Sequence, residues 1–204
     1  MAITFYEGDL PEGYEPGGAV AIDTETMGLA LGRDRLCVVQ LSRGDGSAEV
    51  VRIAAGQRAA PRLTALLGDA KVVKLFHFGR FDMGVLTHAF GVMPAPVYCT
   101  KIASKLARTY TDRHGLKDLV KELLGVDLSK QQQSSDWGAA TLSEAQLAYA
   151  ASDVLHLHAL REKLDAMLAR EHRVSIAREC FGFLPARAEL DLLGWPETDI
   201  FAHM

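Results

Sequence analysis

Residues 19–26 read AVAIDTET, an apolar run of strand-forming residues that ends in acids and threonines. The runs at 36–41 (LCVVQL) and 48–53 (AEVVRI) are also rich in β-branched residues. Gly44-Asp45-Gly46 separates those two runs and favours a tight turn. Three strands at hairpin spacing predict an antiparallel meander.

Helical periodicity dominates the rest of the chain. We predict helices at 58–67, 81–90, 100–110, 116–124, 143–170 and 175–193, a strand at 72–76 and an irregular lead-in over residues 1–16. Ser143 followed by Gln146 is a capping box at a helix start. The expected fold is α/β (α+β), a mixed sheet with three leading antiparallel strands flanked by helices. We expect one domain over 1–204, with a helical tail from about 175.

Composition indicates a globular protein with enough apolar material for a core, since 49% of the 204 residues are hydrophobic and 24% are charged. The net charge of −4 disfavours a protein that grips a long duplex by its phosphates. The sequence predicts a cytoplasmic location and no membrane contact. Its three cysteines lack metal-type spacing and favour a reducing compartment. The N-terminus does not resemble a signal peptide, and no apolar run is long enough to span a membrane.

Asp23 and Glu25 lie two residues apart at the end of the first apolar run. Because alternate residues of a strand point to the same side, both carboxylates can converge on one point. Such a pair repels unless protons or a hard divalent cation neutralise it. The alternative is two solvated acids at a strand end.

Asp82 follows the stretch 76–81 (FHFGRF), where a strand ends near Phe76 and a helix begins near Gly79. An acid in the first turn of a helix is favoured by the helix dipole, so Asp82 alone needs no functional explanation. His77 can be a core histidine or a phosphate ligand, and the sequence leaves both open.

Tyr149 and Asp153 lie four residues apart and share one face of the expected late helix. A half-exposed surface pair is the plain alternative. The small residues Ala148, Ala150 and Ala151 favour a functional role for the pair, because they let another element of the fold approach closely.

Three motifs in this order resemble the DEDDy 3′–5′ exonucleases and, among them, ribonuclease D. They read AIDTETMGL at 21–29, HFGRFD at 77–82 and YAASDVLHL at 149–157. HGLKDLVKELLG at 114–125 and SDW at 135–137 also resemble ribonuclease D. The resemblance implies a ribonuclease H-like DEDD fold.

Two local departures separate this chain from the ribonuclease D pattern. Phe78 stands where that family commonly has Asn, and Ala140-Thr141 stands where it has Arg-Pro. We also expect no counterpart of the helical nucleic-acid-binding domains that follow the nuclease in ribonuclease D. In this it is similar to nano-RNase C, a single-domain family that trims very short RNAs, including dinucleotides, and forms a ring-shaped octamer. The resemblance implies a homo-oligomer, for which the apolar tail is a candidate contact.

The resemblance assigns roles to individual residues. It implies that Asp23, Glu25, Asp82 and Asp153 bind two divalent ions, Mg²⁺ or Mn²⁺, and that Tyr149 orients the attacking water. Residues expected to bind substrate are Thr24, Thr26, Met27, Gly28, Leu29, His77 and Phe81. Leu29 would separate the last two bases, while core packing remains open for Met27 and Leu29.

Six cations lie between the second and third motifs: Lys101, Lys105, Arg108, Arg113, Lys117 and Lys121. They can contact phosphates or form a solvated helix face, and we favour the solvated face for most of them. The glutamines at 131–133 receive no assigned role.

The expected function is hydrolysis of short single-stranded RNA to nucleoside 5′-monophosphates. The alternatives are trimming of longer RNA in the manner of ribonuclease D, an exonuclease acting on DNA ends, and a binding module that has lost its metals. A Rossmann-type nucleotide-binding protein is excluded, because no G-x-G-x-x-G follows a strand.

Overall fold

A six-stranded mixed sheet forms the centre of the computed structural model, which describes residues 2–129, 131–132 and 134–203. The predicted 131–133 tract and the end of the predicted tail therefore lie partly outside the described residues. The strands are β1 (Ala2–Glu7), β2 (Ala19–Thr26), β3 (Leu36–Ser42), β4 (Ser47–Arg52), β5 (Val73–Phe76) and β6 (Val97–Cys99). Their spatial order is β1-β4-β3-β2-β5-β6.

The antiparallel meander predicted from the sequence is confirmed, because β2 pairs with β3 and β3 pairs with β4 in antiparallel fashion. On its other side β2 pairs in parallel with β5, which in turn pairs in parallel with β6. The strand that carries Asp23 and Glu25 is therefore held by neighbours on both edges.

The irregular lead-in predicted for residues 1–16 is wrong at its start, because residues 2–7 form β1 and pair in parallel with β4. This edge strand buries little: Ile3 and Tyr6 are partly covered, while Phe5 is exposed. It therefore shows no clear alternation of apolar residues. The short β6 was not predicted either, since a strand of three residues has too little periodicity to recognise.

Seven helices are present among the described residues: α1 (Pro61–Gly68), α2 (Gly79–Phe90), α3 (Thr100–Ala107), α4 (Leu116–Leu124), α5 (Glu144–Leu155), α6 (Leu157–Arg170) and α7 (Val174–Leu192). The bounds predicted for α4 are confirmed. The single helix predicted over 143–170 is wrong in one respect, since it divides at His156 into α5 and α6. The capping box of Ser143 and Gln146 is confirmed at the start of α5.

The helices cover both faces of the sheet. Helix α5 lies against β2, β3 and β4, where Trp137 and Ala150 pack with Cys37, Val38 and Val50. The larger core joins the sheet to the other helices. Helix α7 packs on α2 and α3, so the first part of the predicted tail covers its own domain. The mixed α/β architecture is therefore confirmed. None of the described helices is both long enough and apolar enough to cross a membrane.

Candidate active site

Carboxylates from two elements converge at the exposed end of the central strand. Asp23 and Glu25 come from β2, Asp153 comes from α5, and one ligand oxygen of each lies within 4.8 Å of the others. Asp82, in the first turn of α2, is almost fully buried and lines the same cavity of about 350 Å³. Four acids from three separate segments of the sequence thus meet in one place.

Two polar side chains hold these carboxylates in position. Gln40 is the cross-strand neighbour of Asp23, and its Nε2 donates a hydrogen bond of 2.8 Å to Asp23 Oδ2. The Thr24 hydroxyl donates to Asp82 Oδ1 at 2.7 Å. Each bond therefore fixes one oxygen of a carboxylate that lines the cavity.

The electrostatics of the cluster favour a bound cation. Burial, followed by the charges of Asp82, Asp153 and Glu25, raises the pKa of Asp23 well above its ordinary value. Burial, followed by the charges of Asp153 and Asp82, raises the pKa of Glu25 to about 9. Burial raises the pKa of Asp82 and of Asp153 to about 7. These groups resist ionising together. A set of donors that are all carboxylate oxygens suits a hard divalent ion such as Mg²⁺ or Mn²⁺.

Tyr149 stands one helical turn before Asp153 and is partly buried. Its ring packs near the buried Trp137 ring, with centroids 6.0 Å apart. Burial and the charges of Asp153, Glu25 and Asp23 raise the pKa of the Tyr149 phenol above its usual range. In the metal-free protein the phenol is therefore protonated at neutral pH.

His77 lines the cavity, and its Nδ1 lies 2.9 Å from the Thr100 hydroxyl oxygen. Its Nε2 has no hydrogen-bond partner among the described residues. Burial and the nearby Lys101 charge lower the pKa of His77 to about 3, so the imidazole is neutral. A neutral imidazole supplies no positive charge to a phosphate.

The residues expected to bind substrate divide into two groups. Thr24, Leu29, His77 and Phe81 line the carboxylate cavity. The three others run from the last residue of β2 into the following turn. The Thr26 hydroxyl donates to the carbonyl of Gly28, and Met27 is exposed. A Cβ at Gly28 would collide with the Asp34 carboxylate, so a side chain at this position would require Asp34 to shift.

Exposure decides one question that the sequence left open. The side chain of Leu29 is 83% exposed and that of Met27 is 53% exposed, so core packing is the wrong explanation for both.

The sequence did not single out Gln40, which lies within an apolar run. Its only signal was a polar residue at a buried strand position. Of the six cations named from the sequence, Lys101 and Lys117 line the cavity and the other four do not. Arg108 is fully buried and pairs with Glu122, so for this residue both the phosphate contact and the solvated helix face were wrong.

A second cavity, of about 470 Å³, adjoins the first. Three apolar residues line both cavities: Leu29, Phe78 and Phe81. The far wall consists of Arg80 and three residues of the C-terminal part, namely Asp191, Pro196 and Glu197. The Arg80 guanidinium donates to both carboxylate oxygens of Asp191, at 2.5 and 2.6 Å, and to the Pro196 carbonyl.

Comparison with known proteins agrees with this geometry. A family model described as a 3′–5′ exonuclease matches residues 9–169. The chain belongs to this family. It is also 41% identical, over 155 residues, to ribonuclease D of Gluconacetobacter diazotrophicus; the match covers 76% of this chain and 39% of that protein. The chain thus corresponds to about two fifths of the curated ribonuclease D proteins that it matches first.

Solved structures of the same fold include two of Brucella melitensis NrnC. The one with bound Mg²⁺ is 61% identical with a TM-score of 0.96, and the one bound to pGG is 62% identical with a TM-score of 0.97. Both matches cover the whole of each chain. The resemblance to nano-RNase C and the DEDD exonuclease fold expected from the motifs are therefore confirmed.

Proposed function

We propose that this protein is a metal-dependent 3′–5′ exoribonuclease that hydrolyses short RNAs, including dinucleotides, to nucleoside 5′-monophosphates. The observation that carries the proposal is the convergence of Asp23, Glu25 and Asp153 within 4.8 Å, beside buried Asp82 and Tyr149. Membership of the exonuclease family and the pGG bound by a similar nuclease support it.

Each acidic residue has a defined task in this proposal. Asp23, Glu25 and Asp153 would hold one divalent ion, and Asp23 and Asp82 would contribute to a second. Bound there, the ions supply positive charge that activates water and stabilises the departing 3′ oxygen of the scissile phosphodiester. The hydrogen bonds from Gln40 and Thr24 keep the carboxylates of Asp23 and Asp82 aimed at the cavity.

The remaining polar residues act on the water and the phosphate. The Tyr149 phenol orients the attacking water by hydrogen bonding, a role that the raised pKa of the protonated phenol favours. Lys101 and Lys117 line the cavity and balance the charge of the substrate phosphates. The exposed Leu29 contacts the terminal bases with its apolar side chain.

The assembly belongs to the same proposal. Beyond the buried face of α7, the C-terminal part exposes Leu193, Trp195, Ile200 and Phe201. Exposed apolar groups of this kind favour contacts between subunits. We therefore infer a homo-oligomer, and the octamer implied by the nano-RNase C resemblance is the expected form.

A product time course with 5′-labelled RNAs from dinucleotide to decamer tests the substrate. We expect the dinucleotide to be consumed fastest, and EDTA or Asp23→Asn to abolish hydrolysis. The matched control is Asp112→Asn, which removes an exposed acid outside the cluster and should retain activity.

Two results would favour the alternatives. Persistence of the dinucleotide while longer RNAs shorten would indicate ribonuclease D-like trimming. Equal turnover of a DNA dinucleotide would remove the preference for RNA.

A further inference from the structure

Phe78 has an unusual backbone conformation for its residue type. It lies between β5 and α2 in the left-handed region, with φ 69° and ψ 38°. A side chain with a Cβ is disfavoured there, and Asn or Gly adopts this conformation at lower cost. Local backbone energetics therefore do not explain a phenylalanine at this position.

The side chain of Phe78 gains little from burial. It is 47% exposed, and the Lys101 ammonium lies 4.4 Å from its ring centroid. A cation over an aromatic face is attractive, but an exposed contact of this type is weak. An exposed aromatic ring on a disfavoured backbone points to a function outside the fold itself.

The position of the ring indicates that function. Phe78 lines both the carboxylate cavity and the adjoining cavity, beside Leu29 and Phe81. A nucleic acid whose phosphate reaches Asp23 and Asp153 must place a base close to this shared wall. Nucleobases present flat π faces, which stack on aromatic side chains with little dependence on sequence.

We propose that Phe78 is a base-stacking residue that sets the affinity of the site for a nucleobase next to the scissile phosphate. This inference rests on the proposed function, because it places the RNA substrate in the same cavity. Lys101 occupies one side of the ring and brings a positive charge close to the adjacent phosphate. The remaining exposed surface of the ring receives the base.

Substitutions at Phe78 separate stacking from folding. Phe78→Asn suits the left-handed backbone, so the thermal unfolding midpoint should be unchanged or higher. The KM for an RNA dinucleotide should rise about 5- to 150-fold, the range expected for loss of one stacked base, with little change in kcat. Phe78→Tyr keeps the flat ring and should retain the wild-type KM, whereas Phe78→Leu should not.

A substrate lacking the base provides the decisive comparison. Two dinucleotide analogues each lack one of the two bases. For the analogue that lacks the base stacked on Phe78, wild type and Phe78→Asn should have similar KM values. Phe5→Asn, at an exposed phenylalanine on β1, is the matched control and should leave KM unchanged. An unchanged KM in Phe78→Asn, or equal losses for intact and both abasic substrates, would overturn the assignment.

Binding measured apart from hydrolysis distinguishes this proposal from the proposed function. Fluorescence anisotropy of a labelled RNA dinucleotide on the Ca²⁺-loaded full chain should show weaker binding for Phe78→Asn and wild-type binding for Phe78→Tyr. Wild-type protein that binds the dinucleotide but does not cleave it with Mg²⁺ would refute the hydrolytic function alone. Wild-type protein that binds no RNA would refute both.

Discussion

Raising the pH should destabilise the metal-free protein through its acidic cluster. Burial raises the pKa of Asp153 to about 7 and, with the charges of Asp153 and Asp82, that of Glu25 to about 9. In the unfolded chain these carboxyl groups titrate near pH 4. Between that pH and the folded pKa, the folded protein holds protons that the unfolded chain has released. Stability from these groups is therefore fully present below about pH 4 and is lost as the pH rises towards the folded pKa.

The size of the effect follows from the number of protons involved. Each proton held only by the folded state contributes about 1.4 kcal/mol of lost stability per pH unit. Asp153→Asn removes one such proton and also lowers the repulsion on Asp23 and Glu25. Between about pH 5 and pH 6.5, the slope of the free energy of unfolding against pH should thus be less negative by at least about 1 kcal/mol per unit.

Urea unfolding at several pH values in EDTA measures this slope for wild type and Asp153→Asn. The two proteins differ only at position 153, so pH-dependent contributions from groups outside the cluster cancel in the difference. Mg²⁺ at one hundred times its dissociation constant should stabilise wild type by about 2.7 kcal/mol near neutral pH and Asp153→Asn by much less. Parallel slopes for the two proteins, or no effect of Mg²⁺ on wild type, would refute the reasoning.

Two further predictions concern residues that support the cluster. Gln40→Leu removes the donor to Asp23 Oδ2 and should weaken Mn²⁺ binding by about 1.5–3 kcal/mol in calorimetry; an unchanged dissociation constant would show that Asp23 needs no such support. Tyr149→Phe should lower kcat by roughly 10- to 100-fold while Mn²⁺ affinity is retained, because the phenol acts on water; kcat equal to wild type would exclude that role.

Local patterns were sufficient to predict the meander and to mark some of the acids as candidates. Asp23 and Glu25 follow an apolar run at strand spacing, and Tyr149 and Asp153 share a helix face; both features depend only on neighbouring residues. The order of the three motifs then joined these signals to a family. Their convergence depends on β2, α2 and α5 meeting, which periodicity alone does not encode.

Features that depend on tertiary pairing could not be predicted. Strand β1 forms because the edge of β4 is available, although Phe5 and its neighbours bury little. The importance of Gln40 becomes visible only when the register places it opposite Asp23. The left-handed backbone of Phe78 likewise arises where β5 turns into α2, and no residue-type preference would place a phenylalanine there.

Arg80 connects the start of α2 to the C-terminal part of the chain. Arg80 precedes Asp82 by two positions on the first turn of α2, and its guanidinium is anchored by Asp191 and the Pro196 carbonyl. Shortening the protein before Asp191 would leave that guanidinium without its counter-charge. Residues 191–196 thus stabilise the start of α2, and purification tags belong at the opposite end of the polypeptide.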